Sequence, residues 1–441
     1  MAGTGAFPCD EEPDCVNTVT CLPTAVPTPR QLEYQDWEMG VFFHFGIRSF
    51  YEGHRDWDGK PMPPAGFRPA GLNCDQWVVS AKRAGMRYAV LVCKHHDGFA
   101  NWPSKHSTFS VAQTPWQDGK GDVVREFVDA CRRHDMKIGM YYSPAEWGNP
   151  TFQDAKAYDE HFLNQIGELL TNYGQIDILW FDGCGSDKHT YDWSRIVREI
   201  RRLQPNLLIF SMGDPDFRWV GNEAGIADLP NWNTAMGTRL SACPPGGDPS
   251  AKQAFWLPPE CDCMMRWHCW FYEEADVETV KPVEELMGLY YLSVGRGANL
   301  LLNIGPDRRG LLPDADRDAL LAFGQEVRRR FGQPLARLSD GKVTESGWEY
   351  TAKEPFYLDH IVIQEDLSRG EHVRRFAIRI QTGISGRMIT LHEGRNIGHK
   401  AICRLPLLAC RKVVVEITES DGPAGLREVT LHNTTGLVHR H

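Results

Sequence analysis

The stretch Lys137-Ile-Gly-Met-Tyr-Tyr-Ser143, the helical pattern from Tyr158 to Tyr173 that stops at Gly174, and the run Ile176-Asp-Ile-Leu-Trp-Phe181 read together as strand, helix, strand. Short apolar runs bounded by polar residues suit strands buried on both faces, and a helix between them is what joins parallel neighbours. The same alternation extends outward from about Gln35 to about Arg330. Gly40-Val-Phe-Phe-His44-Phe-Gly46 and Tyr88-Ala-Val-Leu-Val-Cys93 precede the central unit, and Leu207-Leu-Ile-Phe-Ser211 and Asn299-Leu-Leu-Leu-Asn303 follow it. Helical patterns lie at Asp75 to Ala84, ended by Gly85, at Asp122 to Arg133, where Val124, Phe127, Val128 and Cys131 share a face, and at roughly Asp314 to Arg330. Repetition of this unit, with no glycine fingerprint for a dinucleotide, favours an α/β fold of the (β/α)8-like, TIM-type barrel kind over an open doubly wound sheet.

Past Pro334 the period shortens to two, as in Phe376-Ala-Ile-Arg-Ile380, Met388-Ile-Thr-Leu-His392 and Lys412-Val-Val-Val-Glu-Ile417. Short strands with Gly-rich turns suggest a C-terminal β-sandwich of about 100 residues. The expected organisation is an N-terminal extension over 1–30, a catalytic barrel over 31–335, and a sandwich over 336–441 that carries none of the chemistry.

At 441 residues, with 42% hydrophobic and 24% charged, the chain has the size and composition of one large domain with a smaller one attached. No apolar run approaches bilayer length, so no membrane partner is expected. A net charge of -10 argues against nucleic acid, whose binding depends on basic patches, and suits a neutral substrate such as a sugar. The 13 cysteines include no zinc-type CxxC pair, and Cys93 and Cys131 fall at core positions, so buried free thiols are expected. The segment from Met1 to Pro29 lacks the charged start and apolar stretch of a signal peptide, which points to a cytoplasmic protein or an exported one with its signal removed. In the exported case Cys9, Cys15 and Cys21 are available for a disulfide. Oligomeric state is left open by the sequence.

In such a barrel the active site lies at the C-terminal ends of the strands, so polar residues that close apolar runs are the ones to weigh. His44 follows Phe42-Phe43, and His95-His96-Asp97 follow the second run. Tyr141-Tyr142-Ser143 end the third, and Trp180-Phe181-Asp182-Gly183 the fourth. Any one of these alone is more often a structural hydrogen-bonder, but four in succession point to a site. Imidazoles and phenols bond hydroxyl groups and aromatic faces cover the apolar side of a sugar ring, so the set reads as a sugar pocket. A metal reading of His95-His96 is disfavoured, because adjacent side chains on a strand diverge and reach one ion only from a bent loop. There is no HExxH motif, and His439-Arg-His441 stands at the chain end. No metal and no cofactor is expected.

Glycoside hydrolysis needs one carboxylate to attack and one carboxylic acid to protonate the leaving oxygen. Asp182 is the best nucleophile: Trp180 and Phe181 shield it, and Gly183 lets the chain turn beside it. Glu223, Glu260 and Glu146 are all candidates for the acid, and their surroundings in the sequence do not separate them.

These residues lie in motifs that resemble the α-L-fucosidases of glycoside hydrolase family 29: Gly40 to Gly46, Lys94-His-His-Asp-Gly-Phe99, Gly139-Met-Tyr-Tyr-Ser143, Leu179-Trp-Phe-Asp-Gly183 and Asn299-Leu-Leu-Leu-Asn-Ile-Gly-Pro306. The resemblance implies a two-step retaining mechanism on a fucosylated oligosaccharide or glycoconjugate, with Asp182 as nucleophile and His44, His95, His96, Tyr142 and Trp180 as fucose contacts, and no metal. The segments Arg218-Trp-Val-Gly-Asn-Glu223 and Pro258-Pro-Glu-Cys-Asp262 resemble the subgroup that removes α-1,3/1,4-linked fucose from branched, Lewis-type glycans. That likeness makes Glu223 the acid/base and Glu260 a contact to the sugar around the scissile bond. Where many relatives carry Glu-Trp after the first strand, this chain reads Arg55-Asp56-Trp57, so Asp56 and Trp57 are implied fucose contacts. The competing readings are a fucosidase that is broad or prefers α-1,2 or aryl linkages, a barrel glycosidase acting on α-galactosides, a non-catalytic sugar-binding barrel, and a metal-dependent amidohydrolase.

Overall fold

The computed structural model describes residues 25–54, 58–186, 189–237, 253–382 and 386–438. Its central sheet is built from β1 (Met39–Phe43), β2 (Tyr88–Lys94), β3 (Lys137–Tyr142), β4 (Ile178–Phe181), β5 (Leu208–Phe210), β6 (Arg218–Trp219), β9 (Pro259–Met264) and β10 (Asn299–Ile304). These eight strands lie in the order β5-β4-β3-β2-β1-β10-β9-β6, and every neighbouring pair is parallel. A parallel bridge between Phe210 and Phe217 joins the two ends of that order, so the sheet closes into a barrel. An antiparallel hairpin, β7 (Thr234–Met236) with β8 (Ala254–Trp256), is inserted between β6 and β9.

Period-two alternation sorts the strand side chains into two cores. Phe42, Val90, Tyr141, Trp180, Phe210 and Leu301 point into the barrel, where they meet Tyr34 and Trp37. Val41, Phe43, Leu91, Met140, Phe181 and Leu302 point out and pack against helix residues such as Trp77, Phe127, Phe162 and Phe323. Each fully buried side chain of this size contributes about 1.5–3 kcal/mol.

Helix α1 (Pro29–Trp37), which supplies Tyr34 and Trp37, starts with a capping box between Thr28 and Gln31 and a proline in its first turn. The outer layer holds α2 (Cys74–Ala84), α3 (Val123–Arg133), α4 (Ala155–Asn172), α5 (Trp193–Leu203), α6 (Val283–Leu292) and α7 (Asp314–Phe331). Gly85 closes α2 in the left-handed region at φ 97°, which explains the stop seen in the sequence. Among the described residues no helix follows β5 or β6; short turns and the hairpin replace it. No helix among the described residues is long and apolar enough to cross a membrane.

Strands β6 and β9 escaped the sequence reading. β6 is two residues long, and β9 carries Glu260 and Asp262 among its inward positions, so neither presents an apolar run.

The C-terminal region holds β11 (Ala336–Arg337), β12 (Lys342–Thr344), β13 (Gly347–Glu365), β14 (Val373–Gln381), β15 (Met388–Gly394), β16 (Ala401–Ser420) and β17 (Leu426–His432). The long strands β13 and β16 pair antiparallel from Gly347↔Glu416 to Ile363↔Ala401, with register breaks near Thr351/Phe356 and Leu358/His360. β14 and β15 extend the sheet beyond one end of this pair, and β17 and β11 beyond the other. Trp348, Ile361, Phe376, Val413, Val415 and Val429 from both parts share one core, which gives the sandwich its two layers.

The described cysteines are free, and Cys93 and Cys131 are buried as expected; Cys184 is exposed. Cys9, Cys15 and Cys21, and likewise His439 and His441, lie outside the described residues.

Candidate active site

Asp182 follows the last residue of β4 at the C-terminal mouth of the barrel. Its Oδ2 accepts a hydrogen bond from the Tyr141 hydroxyl at 2.8 Å, and its Oδ1 accepts one from the backbone N–H of Cys184 at 2.8 Å. His96 Nε2 lies 3.4 Å from Oδ2. Burial works to raise the pKa of Asp182, but the hydrogen bond and charge of His96, the Cys184 N–H and the charge of His95 outweigh it and hold the carboxylate well below its ordinary range.

The orientation of His96 follows from its partners. Ser143 Oγ donates to the carbonyl of Ala145 at 2.6 Å, so it accepts from His96 Nδ1. That contact fixes the ring and turns Nε2 toward the Asp182 carboxylate.

His44 and His95 complete the imidazole cluster. His44 Nδ1 bonds Asn303 Oδ1 at 2.6 Å, which places the proton on Nδ1. Its ring sits 5.0 Å from Trp270 and 5.4 Å from Phe271. Burial, with the charge of His95 adding to it, pushes the pKa of His44 well down, so its Nε2 is an acceptor for a hydroxyl group. His95 stacks on Tyr141 at 5.5 Å with 8° between the rings, and its centroid is 4.4 Å from His96.

Two expected contacts sit elsewhere. Tyr142 points outward: its hydroxyl donates to Gln165 Oε1 of α4 at 2.7 Å, its ring packs on Phe162, and Lys94 Nζ lies 4.2 Å over its face. The tyrosine that faces the barrel interior is its neighbour Tyr141, because adjacent side chains on a strand take opposite faces. Glu260 is the second correction. It pairs with Asn299 in the register of β9 and β10, four positions below the Asn303 that holds His44, which is about 13 Å along the strand. It is 1% exposed, and its carboxylate accepts from Tyr34 at 2.8 Å, Tyr88 at 2.6 Å and Trp180 at 2.8 Å. Glu260 therefore anchors the barrel floor and is not presented to a sugar at the mouth.

Trp180 is 5% exposed. Its ring lies between Phe210 at 4.0 Å and Tyr141 at 5.4 Å, both stacked, so its faces are covered. Its Nε1 serves Glu260. Asp56 and Trp57 lie outside the described residues.

The three acid candidates now differ. Glu146 is locked in a buried ion pair with Lys94 at 2.8 Å and bonds His161 at 3.1 Å. Burial raises its pKa, but Lys94 and His161 overcome that and bring it down to about 2, the wrong direction for a proton donor. Glu260 is sealed. Glu223 is exposed on the segment after β6, its side chain is hydrogen-bonded to Trp270, and desolvation together with the charge of Asp182 raises its pKa. The segment is tied to β9 by Val220 N–H to Glu260 O at 2.9 Å and by a bridge between Ala224 and Cys263. Beside it, Trp219 Nε1 donates to Asp262 Oδ1 at 2.7 Å, and burial with the nearby Glu223 charge pushes Asp262 well up.

Sequence reasoning missed Trp270 and Asn303 as supports of His44 and Glu223, and Asp262 beneath the acid. Asn303 had a legible signal, as a polar residue at an inward position of an apolar strand; Asp262 had none, because β9 presents no apolar run. Trp270 had none, because it lies in a loop that only the fold brings to the mouth. The ligand atoms of His95, His96 and Asp182 all lie within 4.8 Å of one another, so the turn after β2 does bring the adjacent histidines to one place.

A closed barrel whose strand ends carry one carboxyl group with its pKa lowered, one with its pKa raised and a lining of histidines and aromatic rings has the equipment of a glycoside hydrolase. The alpha-L-fucosidase family model matches residues 62–330, and the chain belongs to that family. It is similar to alpha-L-fucosidase 1 of Arabidopsis thaliana, 31% identical over 444 residues, with 91% of this chain and 86% of the relative covered. A glycoside hydrolase 29 family member from an unknown rumen bacterium superposes with a TM-score of 0.84 at 31% identity, covering 94% of this chain and 78% of that one. A Ruminococcus gnavus GH29 fucosidase in complex with fucose does so with a TM-score of 0.81 at 26% identity, covering 93% and 95%. The chain is thus an α-L-fucosidase, a glycosidase acting on fucosylated substrates.

Proposed function

We propose that this fucosidase is an exo-acting, retaining enzyme that removes α-1,3/1,4-linked fucose from branched, Lewis-type glycans. Asp182 attacks the anomeric carbon and forms a covalent fucosyl-enzyme. Glu223 gives its proton to the departing oxygen and then takes one from the water that hydrolyses the intermediate. His44, His95 and His96 bond the fucose hydroxyls, with Tyr141 rather than Tyr142 as the phenol of the pocket. Asp56 and Trp57 remain assigned to the same pocket, and Trp180 contributes an edge. The barrel over 31–335 is the catalytic unit, and the sandwich over 336–441 is accessory to it.

The observation that carries this reading is the opposite displacement of two carboxyl groups that feel each other's charge. The pKa of Asp182 is held down, as suits a nucleophile, and that of Glu223 is pushed up, as suits an acid. The subgroup assignment rests on the Gly221-Asn222-Glu223 motif. It is tested by hydrolysis of a Lewis-type trisaccharide, a two-linked fucosyl-galactose and an aryl fucoside under one set of conditions. Fastest release from the trisaccharide is expected; faster release from either of the others contradicts the linkage claim and leaves the fucosidase claim intact.

A further inference from the structure

We propose that the fucose pocket is also a site for a divalent transition metal of the zinc type, held by His95, His96 and Asp182, and that such an ion is a reversible competitive inhibitor. The one objection to a shared ion at the histidine doublet was that neighbouring strand side chains diverge. Here the doublet comes just past the end of β2, after a register shift between Val92 and Lys94, and the chain turns at Gly98 with φ 83°. The two rings stand 4.4 Å apart at their centroids, and with Asp182 they offer three ligand atoms within 4.8 Å of one another.

Two imidazoles and a carboxylate at an open mouth are a ligand set that zinc accepts, with water completing the tetrahedron. Zinc bonds of about 2.0–2.2 Å put neighbouring ligand atoms about 3.3–3.5 Å apart. His96 Nε2 and Asp182 Oδ2 already stand at 3.4 Å. The widest separation therefore has to close by at most about 1.4 Å, within the reach of side-chain rotation. The partners behind the ligands favour the same geometry. Ser143 holds His96 by Nδ1 and aims Nε2 at the ion, and Tyr141 steadies Asp182. Asp182 is 26% exposed, so a hydrated ion has access.

The consequence follows from occupancy. Binding places the ion on His96 Nε2 and on the carboxylate that would attack fucose. Ion and sugar exclude each other. The inhibition rests on the assignment of Asp182 as nucleophile, whereas the binding does not.

The test is calorimetric titration of the full chain with zinc chloride at neutral pH in a non-chelating buffer, with and without saturating fucose. The His95→Ala/His96→Ala double variant and the Cys184→Ser variant are measured alongside. The wild type is expected to bind one ion per chain that the double variant loses or holds at least tenfold more weakly. Fucose should weaken that ion's binding at least tenfold, and Cys184→Ser should retain it. Circular dichroism checks that the double variant is folded, and His96→Gln, which keeps bulk and polarity, gives the same answer if it is not. Unchanged zinc binding in the histidine variants overturns the site, as does zinc binding indifferent to fucose. Loss in Cys184→Ser alone assigns the ion to the thiol and also overturns it. Because the heat of binding is read without turnover, failure here is separate from failure of the hydrolytic assignment.

Discussion

Tyr141 Oη and Asp182 Oδ2 are joined by a 2.8 Å hydrogen bond, while Tyr142, one residue on, faces the helical layer and bonds Gln165. The two tyrosines are thereby assigned different work. Tyr141→Phe is expected to lower kcat/KM by about 10- to 100-fold, since a hydrogen bond to an ionised carboxylate is worth about 1.5–3 kcal/mol. Tyr142→Phe should cost about 1 kcal/mol of stability and leave turnover within a few-fold of wild type. Steady-state kinetics of the two variants beside their denaturation curves reads both effects, and the reverse ranking contradicts the assignment of faces.

Glu223→Ala should slow natural glycans by several orders of magnitude and spare fucosyl fluoride, whose leaving group needs no proton. Equal losses on both substrates would remove Glu223 from the acid role and return it to a positioning one.

The pH dependence follows with its sign. Glu223 acts as acid only while protonated, so kcat/KM falls as pH rises through its pKa, and because that pKa is raised the fall comes above the ordinary carboxyl range. Asp182 must be ionised, and its depressed pKa keeps the acidic limb below that range. Wild-type profiles on a natural glycan and on fucosyl fluoride check this: the basic limb is expected with the glycan and absent with the fluoride, and its presence with both assigns that limb to another group.

Glu146 and Lys94 bear on stability. Removing one member of a buried pair leaves the other uncompensated, and Glu146→Ala is expected to cost about 3–5 kcal/mol. Burial pulls Lys94 down despite Glu146, so the intact pair is no large net gain, and the cost lies in breaking it. Glu146 has its pKa lowered from 4.5 to about 2, so its contribution is fully present above 4.5 and is lost as pH falls toward 2. Chemical denaturation of wild type and variant at neutral pH and near pH 3 measures it; an equal difference at both pH values contradicts the account.

Six of the eight barrel strands could be read from the sequence because both their faces are apolar. β6 and β9 could not, since the first is a two-residue strand and the second buries carboxylates where a run of Val or Ile would have announced it. The end of α2 at Gly85 was legible from residue type alone. Within the site, the position of Asp182 at a strand end was legible, but the choice between Tyr141 and Tyr142 was not, because a doublet at a strand end does not declare which residue faces inward. The depth of Glu260 was hidden for a related reason. The sequence gives no register between β9 and β10, and register is what places that carboxylate on the floor with Tyr34, Tyr88 and Trp180.

Asp182 as the atom-bonding nucleophile is the claim on which the rest depends. Its direct measurement is trapping with 2-deoxy-2-fluoro-fucosyl fluoride, whose fluorine slows release of the covalent intermediate, followed by proteolysis and mass spectrometry. The account predicts one fluorofucosyl adduct per chain, on the peptide that contains Asp182, and none in Asp182→Asn. An adduct on Glu223, Glu260 or Asp262, or turnover of the natural substrate with no adduct on any carboxylate, contradicts it.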